Sequence, residues 1–293
     1  MKVVVTGASG LIGSALVPAL RAGGHDVVRL VRRPARAADE VRWDPDAGHV
    51  DPLSGVDAAV HLAGAGVGDH RWTAAYKETI RASRVDGTRT LASALAALDP
   101  PPRVLVSGSA VGWYGDPGDQ PVDESAPPGE DFLARVVVDW EAATAPAEAA
   151  GIRVVRARSG VVFSREGGAL GRMLPLFRLG LGGRLGSGRQ YWSVISIEDE
   201  VRALRFLLET DSVVGPVNLT APAAATNAEV MAAIAAAVGR PALLPVPAFA
   251  LRAGLGGFAS EILASRRVTP RVLTESGFEF RHPDAHSVVR ATV

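Results

Sequence analysis

The sequence predicts an α/β fold: a doubly wound parallel sheet with a smaller, interleaved C-terminal α/β region. Three observations predict it. Short apolar runs alternate with helical patterns through the first half of the chain. The runs are continuously apolar, which marks strands buried on both faces and therefore a parallel sheet between two helix layers. A glycine-rich turn, "VTGASGLIG", joins the first strand to the first helix.

Each element follows in order. "KVVVT" is a strand and "LIGSALVPALRAGG" a helix. "HDVVRLV" is the second strand, followed by a polar stretch, a short "EVRWD" and the strand "VDAAVHLAG". The next helix runs roughly from Thr73 to Leu98, and "RVLVSG" is the strand after it. A Gly/Pro loop then leads into the helix "DFLARVVVDWE", Asp131 to Glu141. Pro146 conflicts with extending that helix, because an interior proline costs about 3 kcal/mol, so a bend or break is expected there. "IRVVRAR" closes the series. Residues 1–165 thus form the first domain, completed by about 192–212, where "IEDEVRALRFLLE" is an amphipathic helix. Residues 166–293 form the substrate-side and C-terminal region. It contains a glycine-rich excursion around one short helix, the strand "PVNLTAP", a helix begun by Thr226 or Asn227, and two short helical patterns after Pro241.

Composition excludes several classes of function. The 31 basic and 31 acidic side chains balance, so no nucleic-acid or anionic-membrane partner is expected. Cysteine is absent, which removes disulfides, thiol catalysis and cysteine metal sites, and the six histidines show no metal-ligand spacing. No apolar stretch is long enough to span a bilayer, and the start has no signal-peptide pattern. The expectation is a soluble cytoplasmic protein whose partner is a small molecule; the oligomeric state stays open.

The glycine turn points to a nucleotide. Gly7, Gly10 and Gly13 let the backbone turn tightly and approach a pyrophosphate, and the helix beginning at Leu11 and Ile12 turns free N–H groups toward it, with Ser9 in the turn. The second strand ends at Val31, where an NAD enzyme carries a carboxylate for the ribose 2′-hydroxyl; here Arg32 and Arg33 follow instead. Two guanidiniums suit a 2′-phosphate, so the cofactor expected is NADP(H). His61, Leu62, Ala63 and Gly64 end a strand at the ligand edge of the sheet, where small residues admit the cofactor. Asp44 has two readings, an acceptor for the adenine amine or a turn-forming residue. Ser107 and Val161, at later strand ends, complete the expected cofactor contacts.

"TGASGLIG" and "HLAG" together resemble motifs of the extended short-chain dehydrogenase/reductase superfamily, a Rossmann fold. "RWT", "SRVDGT", "SGSAVGWYGD", "GGALGRMLPLFRLGLGG", "GSGRQYWS" and "RVTPRVLTESGFEFRHP" resemble one atypical subgroup. Its members are called epimerase-family or nucleoside-diphosphate-sugar-epimerase-like proteins and carry a C-terminal domain of unknown function. The resemblance covers nearly the whole chain and implies an NADP(H)-binding fold.

It also implies a catalytic Tyr with a Lys four residues later on one helix face. Matching Glu141 to the glutamate that follows this dyad puts Leu133 in the tyrosine place and Val137 in the lysine place. Lysine occurs only at positions 2 and 77, and tyrosine only at 76, 114 and 191, so no YxxxK pair exists anywhere. Other candidates take over the chemistry. Ser109 matches the superfamily serine that hydrogen-bonds the reacting oxygen, with Ser107 as its competitor. Lys77 and Arg84, two helical turns apart, project from one face beside the cofactor, where Arg84 polarises a substrate oxygen; a solvated helix face is the plain alternative. Tyr114 is either the acid, its pKa lowered by nearby arginines, or a packing residue of its loop. Arg158, Arg184 and Arg189 are the expected contacts to an anionic substrate, with an exposed hairpin as the other reading for the last two. The expected activity is NADP(H)-dependent oxidation, reduction or epimerisation of a small polar carbonyl or alcohol or a sugar-nucleotide-like substrate. The rival is a non-catalytic NADP(H)-binding redox sensor.

Overall fold

The structure is a computed structural model that describes residues 1–293. The chain begins β1 (Lys2–Thr6), α1 (Leu11–Ala22), β2 (Asp26–Val31), β3 (Glu40–Asp44), β4 (His49–Val50), β5 (Ala58–His61), α2 (Ala74–Ala96) and β6 (Val104–Ala110). It continues with β7 (Pro121–Val122), α3 (Phe132–Ala142), α4 (Ala145–Ala149), β8 (Arg153–Ser159), β9 (Val161–Phe163) and α5 (Gly168–Arg178). Then come β10 (Tyr191–Trp192), β11 (Val194–Ser196), α6 (Ile197–Glu209), β12 (Gly215–Leu219), β13 (Ala225–Thr226) and α7 (Asn227–Ala237). The chain ends with α8 (Ala248–Leu255), α9 (Ala259–Leu263), β14 (Arg267–Val268), α10 (Arg271–Glu275) and α11 (Ala285–Thr292).

Eight strands form the central sheet in the order β12-β8-β6-β5-β1-β2-β3-β4, parallel throughout except at the β3–β4 edge. From β1 the chain winds outward through β2 and β3, then returns to β5 on the other side. Strand order reverses between β1 and β5, and the crevice above their C-terminal ends is where this architecture receives ligands.

The continuous apolar runs have a direct cause. Val3, Val5, Val60 and Val106 face one side of the sheet, against Leu16 and Leu20 of α1 and Leu204 and Leu207 of α6. Val4, Val28, Leu105 and Val154 face the other, against Leu91 and Leu95 of α2 and Ala147 of α4. A second core joins Leu170 and Leu174 of α5, Val230 and Ile234 of α7, and Val288 of α11.

Local signals govern the helix ends. Asp131 caps α3 through its side chain, accepting from the Ala134 amide at 2.8 Å. The helix stops at Ala142 and Pro146 enters the first turn of α4, where its missing N–H goes unmissed. Thr226 is the N-cap of α7, in a reciprocal capping box with Glu229. The sheet also takes in Gly215–Leu219, beyond residues 192–212, pairing in parallel with β8 from Gly215↔Val155 to Leu219↔Ser159. Nothing in "PVNLTAP" distinguishes an edge strand of the first sheet from a strand of the second region. No helix is long and apolar enough to cross a membrane.

Candidate functional site

The crevice floor is the turn between β1 and α1. Gly7 has φ +66°, and a Cβ there would lie 2.6 Å from the Leu62 carbonyl carbon. A Cβ on Gly13 would overlap the Gly7 carbonyl oxygen, so α1 packs on the turn with nothing between. Gly10 caps α1 without a side chain, so no side-chain acceptor covers the first-turn N–H groups, those of Leu11 and Ile12 included. Ser9 is exposed beside them. The approach to α5 lies over this turn, since a Cβ on Gly168 would meet Leu11 Cδ2 at 3.0 Å. Val161 starts β9 just before that segment, its amide donating to the Ser193 carbonyl at 2.8 Å.

The neighbouring strand end is pinned from within. The Thr6 hydroxyl accepts from the Leu62 and Ala63 amides at 3.1 and 3.2 Å and lies 2.7 Å from His61 Nδ1. With both lone pairs used, Thr6 donates its proton to Nδ1, so the imidazole is neutral and carries its hydrogen on Nε2. Burial, with Arg84 nearby, pushes the His61 pKa down to about 4. His61 therefore holds backbone in place rather than moving protons.

Above it stands Arg84. Its Nη1 donates to the Ala65 and Ile80 carbonyls at 2.9 and 3.1 Å, and its guanidinium carbon lies 5.1 Å from the Trp140 ring centre and 3.5 Å from where a Gly64 Cβ would be. No carboxylate pairs with it, and burial lowers its pKa to about 10. Ser83 accepts from the Ala65 amide at 3.0 Å, and the Tyr76 hydroxyl donates to the Gly66 carbonyl. The loop after His61 is thus anchored to α2 at two successive carbonyls. One helical stretch away, Lys77 Nζ sits 5.0 Å from the Phe132 ring centre and 5.8 Å from that of Trp72. Arg81, between them in sequence, is engaged by Asp139 at 2.9 Å.

The dyad positions on α3 are apolar. Leu133 Cβ and Val137 Cγ2 each lie 3.7 Å from where a Gly112 Cβ would be. Glu141, one turn on, forms a buried fork with Arg158, Nε to Oε1 at 2.8 Å and Nη2 to Oε2 at 2.9 Å. Ser109 donates to Glu141 Oε1 at 2.6 Å. Arg158 also stacks on Trp113 at 3.9 Å and donates from Nη1 to the Tyr114 hydroxyl at 3.2 Å. Tyr114 in turn donates to Asn218 Oδ1 at 2.7 Å, and the Asn218 amide donates to Glu124 at 3.0 Å. Ser107 is buried in β6, and its hydroxyl meets only the Gly108 carbonyl at 3.3 Å. At the end of β8, Ser159 donates to Glu200 at 2.5 Å; the other Glu200 oxygen is buried without a partner, and burial pushes this carboxyl up to about 8.

At the end of β2, Arg33 forks onto Glu40 with both Nη–Oε distances at 2.8 Å. Arg29 and the Arg36 amide reach the same carboxylate at 3.2 and 2.9 Å. Arg32 and Arg36 are exposed, and their guanidinium groups have no carboxylate partner. Asp44 accepts from the Ala47 amide at 3.2 Å, as a turn residue does.

Two family models divide the chain. Residues 3–219 match the NAD dependent epimerase/dehydratase family, and residues 246–292 match a domain of unknown function, DUF1731. The chain belongs to the NAD dependent epimerase/dehydratase family. An epimerase family protein of Mycobacterium bovis is 50% identical over 283 residues, covering 96% of this chain and 93% of that one. The crystal structure of human epimerase family protein SDR39U1 (isoform 2) with NADPH superposes with TM-score 0.94 at 35% identity, covering 100% of this chain and 99% of that chain. A nucleoside-diphosphate sugar epimerase from Corynebacterium glutamicum gives TM-score 0.82 at 35% identity, over 100% of this chain and 58% of that one.

Within this family member the structure gathers some of the expected residues and disperses others. Gly7, Gly10, Gly13, Leu11, Ile12, His61 to Gly64 and Arg84 converge on the crevice; Lys77 lies farther along the same helix. Four expectations need correction. Arg158 is not a substrate contact: its side chain is 2% exposed and satisfied by Glu141. Tyr114 is not an acid with lowered pKa; burial raises it, against the opposing pull of Arg158, and its hydroxyl is engaged on both sides. Ser109 spends its hydroxyl on Glu141 instead of presenting it to a reacting oxygen. A fourth correction concerns Arg33, which meets a carboxylate the sequence argument took to be absent. Arg184 and Arg189 are exposed, and the Arg184 Nη1 donates to the Ser187 carbonyl of its own loop at 3.1 Å. Glu40, Arg36, Trp140, Asn218 and Glu200 were missed. An acidic pair closing an arginine run, "RRPARAADE", was a signal for Glu40; nothing marked Asn218, because its partner is 104 residues away.

Proposed function

We propose that this protein binds NADP(H) in the crevice above β1 and β5 and catalyses hydride transfer on a small polar carbonyl or alcohol, sugar-nucleotide-like substrates included. Arg84 is the observation that carries the reading. A guanidinium withdrawn from water and left without a counter-charge is costly unless something anionic or strongly dipolar completes it. Only its Nη1 donates to protein, to the Ala65 and Ile80 carbonyls, and the guanidinium carbon stands 3.5 Å from where a Gly64 Cβ would be, at the ligand edge of the sheet. The NADPH held by the human relative, 35% identical over the full length, supports the choice of cofactor.

The nicotinamide, when bound, supplies or accepts the hydride. The chain's own residues do the rest. Gly7, Gly10 and Gly13 bring backbone against the pyrophosphate, and the first-turn N–H groups of α1 bind it. Thr6 and His61 fix the strand end on which the cofactor rests. Arg84 donates to the reacting oxygen or the cofactor ribose, and Lys77 supplies charge that the absent dyad lysine would have given. Arg184 and Arg189 remain the candidates for an anionic part of the substrate.

A second reading has its own support. Leu133 and Val137 close over Gly112 as an apolar surface, which favours an NADP(H)-binding protein that reports redox state without turnover. A panel of carbonyls, alcohols and sugar nucleotides, followed by absorbance of the reduced cofactor, separates the two. Turnover that disappears in Arg84→Met establishes the enzyme. NADPH binding by calorimetry with no turnover of any panel member favours the sensor, and turnover unchanged in Arg84→Met defeats the role given to Arg84.

A further inference from the structure

Cofactor preference in such crevices is a matter of charge around the adenosine ribose. Three arginines crowd the end of β2, and the structure treats them unequally. Arg32 and Arg36 are exposed and their guanidinium groups meet no carboxylate, although the Arg36 amide donates to Glu40 at 2.9 Å. Arg33 is committed. Its two terminal nitrogens take one Glu40 oxygen each at 2.8 Å, and Nη1 also donates to the Pro34 carbonyl at 3.0 Å. The Glu40 side chain is only 3% exposed while that of Arg33 is 43% exposed. The carboxylate therefore lies inside and holds the guanidinium by both terminal nitrogens, while much of the Arg33 side chain stays open to solvent.

We propose that Glu40 sets the cofactor preference of this protein: it neutralises Arg33 and withholds it from the 2′-phosphate, which Arg32 and Arg36 then recognise, while Arg33 offers its flat face to the adenine. The inference rests on the reading that NADP(H) binds in the crevice.

Charge governs which guanidinium the phosphate meets. A 2′-phosphate is a dianion at neutral pH, and it gains from a guanidinium in proportion to the positive charge that guanidinium still has to offer. A forked arginine–carboxylate pair presents little net charge to a third group. Glu40 also brings its own negative charge into the neighbourhood, and that charge persists, because the Arg33 hydrogen bonds and the Arg36 amide hold the carboxyl at about 2. Arg29 shares Glu40 at 3.2 Å but is itself bound to Asp39 at 2.8 Å, and Arg21 also pairs with Asp39, so the inner row is a network in which Arg21, Arg29 and Arg33 share the two carboxylates. Stacking on a ring face needs no free N–H, which suits a guanidinium already fixed at its edge.

The test is calorimetric binding of NADPH and NADH to wild type, Arg32→Ala, Glu40→Gln and the double variant Arg33→Ala/Glu40→Gln. Glutamine keeps the shape of Glu40 and one acceptor for Arg33, but its NH2 group cannot accept from the second Arg33 nitrogen, so the clamp loses its charge and half of its fork; thermal melting identifies any variant that fails to fold. Arg32→Ala should weaken NADPH by roughly tenfold or more and leave NADH nearly unchanged. The double variant removes Arg33 without leaving a bare carboxylate beside the phosphate, and should weaken both nucleotides by a similar factor. Glu40→Gln should tighten NADPH several-fold with NADH unchanged. The proposal is overturned if the double variant costs NADPH as selectively as Arg32→Ala does, or if a folded Glu40→Gln binds NADPH no better than wild type. Failure of the underlying reading looks different: wild type then binds neither nucleotide. Should Glu40→Gln not fold, Arg33→Met/Glu40→Leu, which replaces the pair by apolar groups, decides the matter by the same criterion of equal loss.

Discussion

Replacing Glu141 with alanine would strip the counter-charge from the most enclosed cation in the molecule. The Arg158 side chain is 2% exposed and that of Glu141 8%. Burial alone would lower the Arg158 pKa, and Glu141 together with Tyr114 more than offsets that. In Glu141→Ala, Arg158 keeps the Trp113 ring and the Tyr114 hydroxyl but no anion, and Ser109 loses its acceptor. Removing one partner of a buried pair costs about 3–5 kcal/mol, chiefly as the desolvation of the charge left behind. For a chain of this size that is a fall in Tm of roughly 5–8 °C. The loss should be largely recovered in Glu141→Leu/Arg158→Met, which removes both charges and keeps the volume. Urea unfolding of Glu141→Leu, Arg158→Met and the double variant measures the coupling directly. The reasoning is refuted if Glu141→Ala costs less than about 1 kcal/mol, or if the double variant loses the sum of the singles. A substrate-binding Arg158 would give a different pattern: unchanged stability and a raised KM.

Two further outcomes follow from buried groups. Glu200 has a folded pKa of about 8 against an ordinary 4.5, so the native state holds its proton more tightly than the unfolded chain. Its contribution is therefore full below pH 4.5 and declines by about 1.4 kcal/mol per unit as pH rises to 8. Glu200→Gln should remove that slope and be the more stable protein at pH 8.5, as urea midpoints at pH 5 and 8.5 would reveal; parallel profiles would contradict it. At the glycine turn, Gly13→Ala should damage both melting temperature and nucleotide affinity more than Gly10→Ala. A Cβ at Gly13 would meet the Gly7 carbonyl and lie 2.8 Å from Ala8 Cα, whereas one at Gly10 meets only the Gly7 oxygen at 3.3 Å. Equal effects would mean the turn can yield where it is drawn tightest.

The doubly wound sheet and the glycine turn were legible in the sequence because their causes are local. A parallel strand must be apolar on both faces, and a tight turn under a helix admits glycine at fixed spacing. The loss of the YxxxK pair was equally legible, since a residue that occurs nowhere cannot be supplied by folding. What a side chain does with its charge was not legible. Arg33, Arg84 and Arg158 are the same residue, each in or beside a β-strand or helix at the ligand edge, and the sequence assigned all three to ligands. Tertiary structure separated them: Glu141, seventeen residues before Arg158, neutralises one; Glu40, on the next strand, clamps another; Arg84 alone, half-buried, meets only carbonyls and no anion. Periodicity and spacing report which face a residue occupies. Only the packed fold decides what stands opposite it, and for a charged group that opposite partner determines whether it stabilises the protein or remains free to act.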